Sequence, residues 1–228
     1  MIRAVIFDLD NVLYDSAGQV EAARRAAISA MCAQGLCLDL DDAYSRLCQI
    51  VSKEGPNSPV HFNELVKSYS SGDASKLIAS GVCAYHEKKR ELLIPYPDAI
   101  DAIKNLRLKD YKLGIISNGA PIKQWEKLIR MGIEKDFDAV VISGEVGLAK
   151  PDPDIFHEAA RRLKLNAKEC AYVGDRPDTD IKGANSAGMK SIRLLRGKYE
   201  QVVPKNDDGR AFFDINDLRV IAEILEDC

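Results

Sequence analysis

No stretch of the 228 residues is apolar for long enough to cross a bilayer. The apolar run at the N-terminus meets an acid at Asp8, too early for a secretory leader, so none is expected. Histidine is scarce: His61, His86 and His157 are the three in the chain. The six cysteines (Cys32, Cys37, Cys48, Cys83, Cys170, Cys228) form no CxxC pair and keep no regular spacing. A zinc site is therefore not expected, and reduced, mostly buried thiols of a cytoplasmic protein are. Nor is there a block of like charge. The net charge is −3, and clusters such as Lys88-Lys89-Arg90 and Arg161-Arg162 are short and lie on helical patterns. Neither a nucleic acid nor a membrane surface is expected as a partner. Internal repeats and low-complexity tracts are also missing. A 46% hydrophobic and 29% charged composition remains, ordinary for a soluble globular chain long enough to bury a core.

The chain opens on MIRAVIFDLDNVLYD. A short apolar run stopping at a carboxylate reads as a buried strand that delivers an acid to a sheet end. Residues two apart on a strand point the same way, so Asp8 and Asp10 could face one pocket. Two carboxylates about 4 Å apart repel by roughly 4 kcal/mol at an effective dielectric near 20, which calls for a cation or a proton between them. An acidic turn after a strand reads the same residues equally well.

From about residue 17 to 91 the pattern is helical, with no convincing strand. Helices are predicted over VEAARRAAISAMCAQ, ending near Gly35, over DDAYSRLCQIV, HFNELVKSY and SKLIASGVCAYHEKKREL, with KEGPNSPV as a loop. After Pro95 and Pro97 the chain alternates. Helices are predicted for 98–108, IKQWEKLIRMG (closed by Gly132), PDIFHEAARRLKL, TDIKGANSAG and NDLRVIAEILED. Strands are predicted for KLGIISN, DAVVISG, CAYVGD, SIRLL and AFFDI. Such alternation means right-handed βαβ units and a parallel sheet, to which the first strand belongs. The helical stretch is then an insertion after that strand.

Chemistry-bearing residues follow each apolar strand. Asp8 and Asp10 follow the first, and Ser117, Asn118 and Gly119 the next. The loop SGEVGLAKPDP carries Lys150, and Asp175, with Asp178 and Asp180, follows CAYVG. Open parallel sheets bind ligands outside the carboxyl ends of their strands, where the strand order reverses. Taken singly, these residues read as a turn and helix cap, a surface lysine, and caps at a helix start. Together they suit phosphoryl transfer. Crowded carboxylates need a divalent cation, and oxygen-only ligands select magnesium, which also neutralises phosphate charge. Ser117 and the amides at Asn118 and Gly119 could then grip phosphate oxygens, with Lys150 supplying charge.

This arrangement resembles the haloacid dehalogenase superfamily of aspartate-nucleophile hydrolases over essentially the whole chain. Its four motifs appear in order as DLDNV at 8–12, ISN at 116–118, Lys150 in GLAKPDPDIF, and GDRPDTD at 174–180. The resemblance implies an α/β, Rossmann-like doubly wound parallel sheet (1–15 and 95–228) with an inserted α-helical cap domain (16–94) like that of subfamily I. Hinges are expected near 15–18 and 93–97. It also implies that Asp8 is the nucleophile, forming an aspartyl-phosphate, and that Asp10 is the acid and then the base, with a raised pKa. Magnesium would be held by Asp8, the backbone carbonyl of Asp10 and Asp175, supported by Asp180. Asp178 has no such role and is expected to be a helix N-cap.

Asp10 stands where dehalogenases of this type lack an acid, which favours a phosphatase. Gly174 stands where mutases tend to carry one, which disfavours a mutase. Asn11 replaces the glycine of many relatives and is tolerable because asparagine accepts positive φ. The expected activity is magnesium-dependent hydrolysis of a small phosphomonoester, such as a triose or sugar phosphate or phosphoglycolate, by a monomer or homodimer. Phosphomutase, dehalogenase, receiver-type phospho-accepting domain and silent binding protein are the alternatives. Tyr14, Gln19 and the loop 55–62 are the candidates for substrate selection, and Trp125 is expected to pack against the core.

Overall fold

The structure is a computed structural model and describes residues 1–36, 39–55, 58–67, 69 and 74–226. The chain divides into two compact units, Met1–Ser16 with Leu93–Cys228, and Ala17–Leu92.

The larger unit is built on a six-stranded, all-parallel sheet. Its strands are β1 (Ala4–Phe7), β2 (Lys112–Ser117), β3 (Ala139–Ile142), β4 (Cys170–Gly174), β5 (Lys190–Leu194) and β6 (Phe213–Ile215), in the order β3-β2-β1-β4-β5-β6. The helices of this unit are α5 (Pro97–Leu108), α6 (Pro121–Met131), the short α7 (Ser143–Val146), α8 (Pro153–Arg162), α9 (Lys182–Ser186) and α10 (Ile221–Glu226). The doubly wound α/β expectation is met, and the reason lies in the strands. β1 and β3 are buried throughout, as a strand covered on both faces must be. Successive residues of β1 serve opposite faces. Val5 and Phe7 join a core with α5, α6 and α10, while Ala4 and Ile6 join one with α8 and α9.

The strand order reverses beside β1, whose neighbours β2 and β4 continue in opposite directions across the sheet. Phe7 pairs with both Ile115 and Val173. Asp8, Ser117 and Asp175 therefore emerge within two rungs of one another at the same sheet edge.

The smaller unit is helical: α1 (Ser16–Ala33), α2 (Leu40–Glu54), α3 (His61–Lys67) and α4 (Ala74–Glu91). It has a core of its own, made by residues such as Ile28, Met31, Leu47, Leu65 and Leu77. Lys53 and Glu54, read from sequence as loop, extend α2 to a stop at Gly55. Gln19, a candidate for substrate selection, is buried, and its amide N–H donates to the Lys89 carbonyl at 2.7 Å within this unit. In the loop 55–62, His61 Nε2 meets the Gly55 carbonyl at 2.8 Å, whereas Pro56 and Asn57 lie outside the described residues.

Of two smaller expectations, that of mostly buried thiols needs adjusting and that for Trp125 is met. Only Cys170 of the described thiols is buried: Cys32 and Cys48 are half-buried, Cys83 is exposed, and Cys37 and Cys228 lie outside the described residues. Trp125 does pack against the core, half-buried, and its indole N–H donates to Glu145 at 2.7 Å.

One ion pair ties distant parts of the larger unit. Asp98, in the first turn of α5, accepts from Arg196 at 2.5 and 3.2 Å and from the Leu218 amide at 3.1 Å. Burial opposes its ionisation, but these partners prevail and hold the carboxyl below the usual range. Its contribution is thus present above the ordinary carboxylate pKa and lost as pH falls through the lowered native value. Replacing Asp98 by Ala should lower the unfolding free energy by about 2 kcal/mol at neutral pH. In urea melts across pH, Asp98→Ala should lose less stability on acidification than the parent, and an identical acid limb would contradict this account.

Candidate active site

The sheet edge at β1, β2 and β4 gathers all the motif residues, and all of them belong to the larger unit. At its centre is the buried ammonium of Lys150. Its Nζ lies 2.7 Å from Asp8 Oδ1, 2.7 Å from Asp180 Oδ1 and 2.9 Å from the Tyr172 hydroxyl. An ammonium has three hydrogens, and all are used. Tyr172 in turn donates to Asp180 Oδ1 at 3.1 Å. Asn118 fixes the lysine's backbone. Its Oδ1 accepts from the Lys150 amide and its Nδ2 donates to the Lys150 carbonyl, both at 3.0 Å. The sequence pointed to the Asn118 amide as a grip for phosphate, and what the structure shows is this task for its side chain.

Asp8, Asp175 and Asp180 bring ligand oxygens within 4.8 Å of one another, and all three are buried. One lysine does not balance three carboxylates. Burial pushes Asp8 up to about 7, against the pull of Lys150 and with Asp180 and Asp10 adding to the rise. Burial likewise pushes Asp175 up to about 8, with Asp8 and Asp180 adding. Both Asp175 oxygens are buried without a hydrogen-bond partner. Asp180, by contrast, is fully engaged: Oδ1 by Lys150 and Tyr172, Oδ2 by the Arg176 amide at 3.1 Å. Buried carboxylate oxygens with no donor and no cation are costly, and an all-oxygen set of this kind suits a hard divalent cation. The residues therefore fit a metal, with Asp175 the acid in greatest need of one.

Asp10 differs from its neighbour two residues away. Lys127 Nζ contacts its Oδ1 at 2.7 Å and Oδ2 at 2.9 Å, the Tyr14 hydroxyl donates to Oδ1 at 2.5 Å, and Gln124 Nε2 approaches Oδ2 at 3.3 Å. Burial raises its pKa, but Lys127, Tyr14 and Gln124 together hold it below the usual carboxylate range. This corrects the expectation of a raised value. That expectation counted only burial near Asp8 and missed a cation arriving from α6. Tyr14, a candidate for substrate selection, is instead almost fully buried and spent on Asp10.

Ser117 is 1% exposed and its Oγ lies 2.9 Å from Gln124 Nε2. The same amide nitrogen lies 2.9 Å from the Asn118 carbonyl, which can only accept. The reverse amide orientation would set oxygen against that carbonyl and against Asp10. Gln124 therefore donates to Ser117, and the serine O–H is left to donate elsewhere. Gly119 permits this packing, since a Cβ there would lie 2.7 Å from Gln124 Nε2. Its own amide, expected to grip phosphate, donates instead to Ser143 Oγ at 2.9 Å, because the loop after β2 folds against α7.

Gly174 is fixed by crowding. A Cβ there would fall 2.4 Å from Asp180 Cβ, so an acid at this position would displace Asp180. Asn11 adopts φ 62°, the left-handed conformation expected of it. Asp178 is not an N-cap. It pairs with Arg176 at 3.0 and 3.2 Å on a π-helical turn spanning Pro177–Ile181. Tyr172, Gln124, Lys127 and Ser143 were missed from sequence. The spacing of Gln124 and Lys127, three apart on the helix after Ser117, was the available signal for two of them.

The larger unit is thus a doubly wound parallel sheet with an aspartate after β1 and a buried lysine and acid cluster at its switch point. A family model described as haloacid dehalogenase-like hydrolase matches residues 2–188. The chain is 46% identical to a glyceraldehyde 3-phosphate phosphatase of Methanopyrus kandleri, over 100% of this chain and 98% of that one. It is 42% identical to a protein of the same description from Methanocaldococcus jannaschii, over 99% and 98%. A crystal structure of a putative β-phosphoglucomutase from Thermotoga maritima superposes with a TM-score of 0.73 at 22% identity, covering 99% of each chain, which speaks for the fold alone. The chain belongs to the haloacid dehalogenase-like hydrolases.

Asp8 and Asp175 bind protons in the folded state that the unfolded chain releases near pH 4. In chelator, stability should therefore fall as pH rises from about 4 to about 8. A divalent cation should raise the melting temperature more at pH 8 than at pH 5. Equal shifts at both pH values would contradict this assignment.

Proposed function

We propose that this chain is a magnesium-dependent phosphatase that hydrolyses a small phosphomonoester through an aspartyl-phosphate on Asp8. A triose phosphate such as glyceraldehyde 3-phosphate is the substrate its relatives' names favour. The observation that carries the reading is the placement of Asp8. Lys150 holds its Oδ1, no side chain among the described residues engages its Oδ2, and Ser117 and Asp175 flank it at the sheet edge. Asp8, Asp175 and the backbone carbonyl of Asp10 would hold magnesium, with Asp180 bracing the site through Lys150 and Arg176. When bound, the cation would offset the acid charge and that of the phosphate.

Each residue then has a task. Asp8 Oδ2 attacks phosphorus, the bond from phosphorus to the alcohol oxygen breaks, and the alcohol takes a proton from Asp10. Water next attacks phosphorus, gives a proton to Asp10, and the bond to Asp8 breaks, releasing phosphate. Asp10 rests as a carboxylate, the form the second step needs. The proton for the first step enters with the ester monoanion (second pKa about 6), which gives it to Asp10, and Asp10 passes it to the departing alkoxide. Ser117 donates its O–H to a phosphate oxygen, in the orientation Gln124 imposes. Lys150 supplies positive charge beside the nucleophile. In this reading the helical unit is the cap that selects among alcohols.

The test is phosphate release from a panel of small phosphomonoesters, p-nitrophenyl phosphate included, with magnesium and with chelator. Magnesium-dependent release confined to a few esters is expected, and Asp8→Asn should abolish it. No release from any ester by a folded chain would overturn the phosphatase reading. One stoichiometric labelling without turnover would favour a phospho-accepting domain.

A further inference from the structure

The acid–base residue of the proposed reaction is held by a cation that none of the four motifs contains. Lys127 lies on α6, nine residues past Asn118, and its ammonium spans both oxygens of Asp10 at 2.7 and 2.9 Å. Tyr14 donates to Oδ1 from one side at 2.5 Å, and Gln124 Nε2 lies 3.3 Å from Oδ2 on the other. The Lys127 ammonium also sits 5.8 Å from the centre of the Tyr14 ring, so the two clamping groups pack against each other. The Lys127 side chain is 19% exposed and that of Asp10 31%, which shields the pair from most competing water. Asp10 lies beyond the end of β1, in an isolated bridge with Tyr14 and followed by the left-handed Asn11. With both oxygens engaged from different elements, rotation about its side-chain bonds is blocked.

We propose that Lys127, assisted by Tyr14, is a positioning residue that holds the Asp10 carboxyl in line with the leaving alcohol. The proposal rests on the phosphatase reading above and adds to it a residue on which the alcohol-releasing step depends. Misplacing a catalytic group by about an ångström costs on the order of a hundredfold in rate. That cost falls only where a proton must be delivered. An alkyl alkoxide leaves poorly without one, whereas p-nitrophenolate leaves readily unprotonated. A lysine that merely stabilised the fold, or merely attracted phosphate, would affect both esters alike.

The comparison is kcat/KM, which reports the steps up to alcohol release, measured with magnesium for p-nitrophenyl phosphate and for the best alkyl ester of the panel. Lys127→Met is expected to lower the alkyl value about a hundredfold and the p-nitrophenyl value less than tenfold. Tyr14→Phe, which removes a single hydrogen bond and keeps the ring, should show the same asymmetry at about tenfold on the alkyl ester. If Lys127→Met does not melt cooperatively, Tyr14→Phe decides. Equal losses on the two esters, or no loss on either, overturn the proposal. A parent chain that turns over neither ester overturns the phosphatase reading instead, so the two failures are distinct.

Discussion

One buried ammonium organises the sheet edge. Lys150 Nζ is buried, so each of its hydrogens must find an acceptor, and it finds them on three elements: Asp8 after β1, Asp180 on the π-helical turn, and Tyr172 on β4. Taking such an ion out of water costs several kcal/mol, so the arrangement is favourable only with near-complete satisfaction. That demand explains the neighbouring features. Asn118 fixes the lysine's backbone from β2, Tyr172 relays to Asp180, and Gly174 stays bare because Asp180 occupies the space of its missing side chain.

The same charge cluster separates its acids into two kinds. Asp8 and Asp175 outnumber what Lys150 can answer, and burial drives their pKa values upward until a proton or a cation relieves them. Asp10, two residues from Asp8, has its own cation in Lys127 and moves the other way. Neighbours in sequence thus acquire different chemistry from partners far away in sequence. Where two carboxylates divide such work the raised one is usually the acid, whereas here Asp8 is raised, and it becomes the ionised member only once a cation relieves it. The opposed shifts here come from Lys127 on α6 as much as from the motif itself.

The parts of this fold that were legible in sequence were those governed by local rules. Four to six apolar residues ending at Asp8, Ser117 and Asp175 read as buried strands because a parallel sheet covers both faces of each strand. Helix lengths between them forced right-handed crossovers and so placed those ends on one edge. What stayed hidden depended on side chains meeting across elements. Lys127 and Gln124 read only as part of the predicted helix IKQWEKLIRMG, and beyond their spacing nothing local in that helix marks a lysine whose partner follows another strand. Gly119 read as a free amide because Ser143, the partner that takes it, lies twenty-four residues away. The pKa of Asp10 was misjudged for the same reason: its sign is set by a residue 117 positions distant.

The division into two units bears on which features can vary among relatives. Every residue assigned to the chemistry lies in Met1–Ser16 or Leu93–Cys228, and the helical unit carries a separate apolar core. Changes in the helical unit can therefore repack that core without moving Lys150 or its acceptors. Tyr14 and Gln19, the polar residues nearest the start of the insertion that seemed suited to substrate choice, are both committed to internal hydrogen bonds. A residue already satisfied by the protein gains little by turning to a substrate, since it would give up one hydrogen bond to make another.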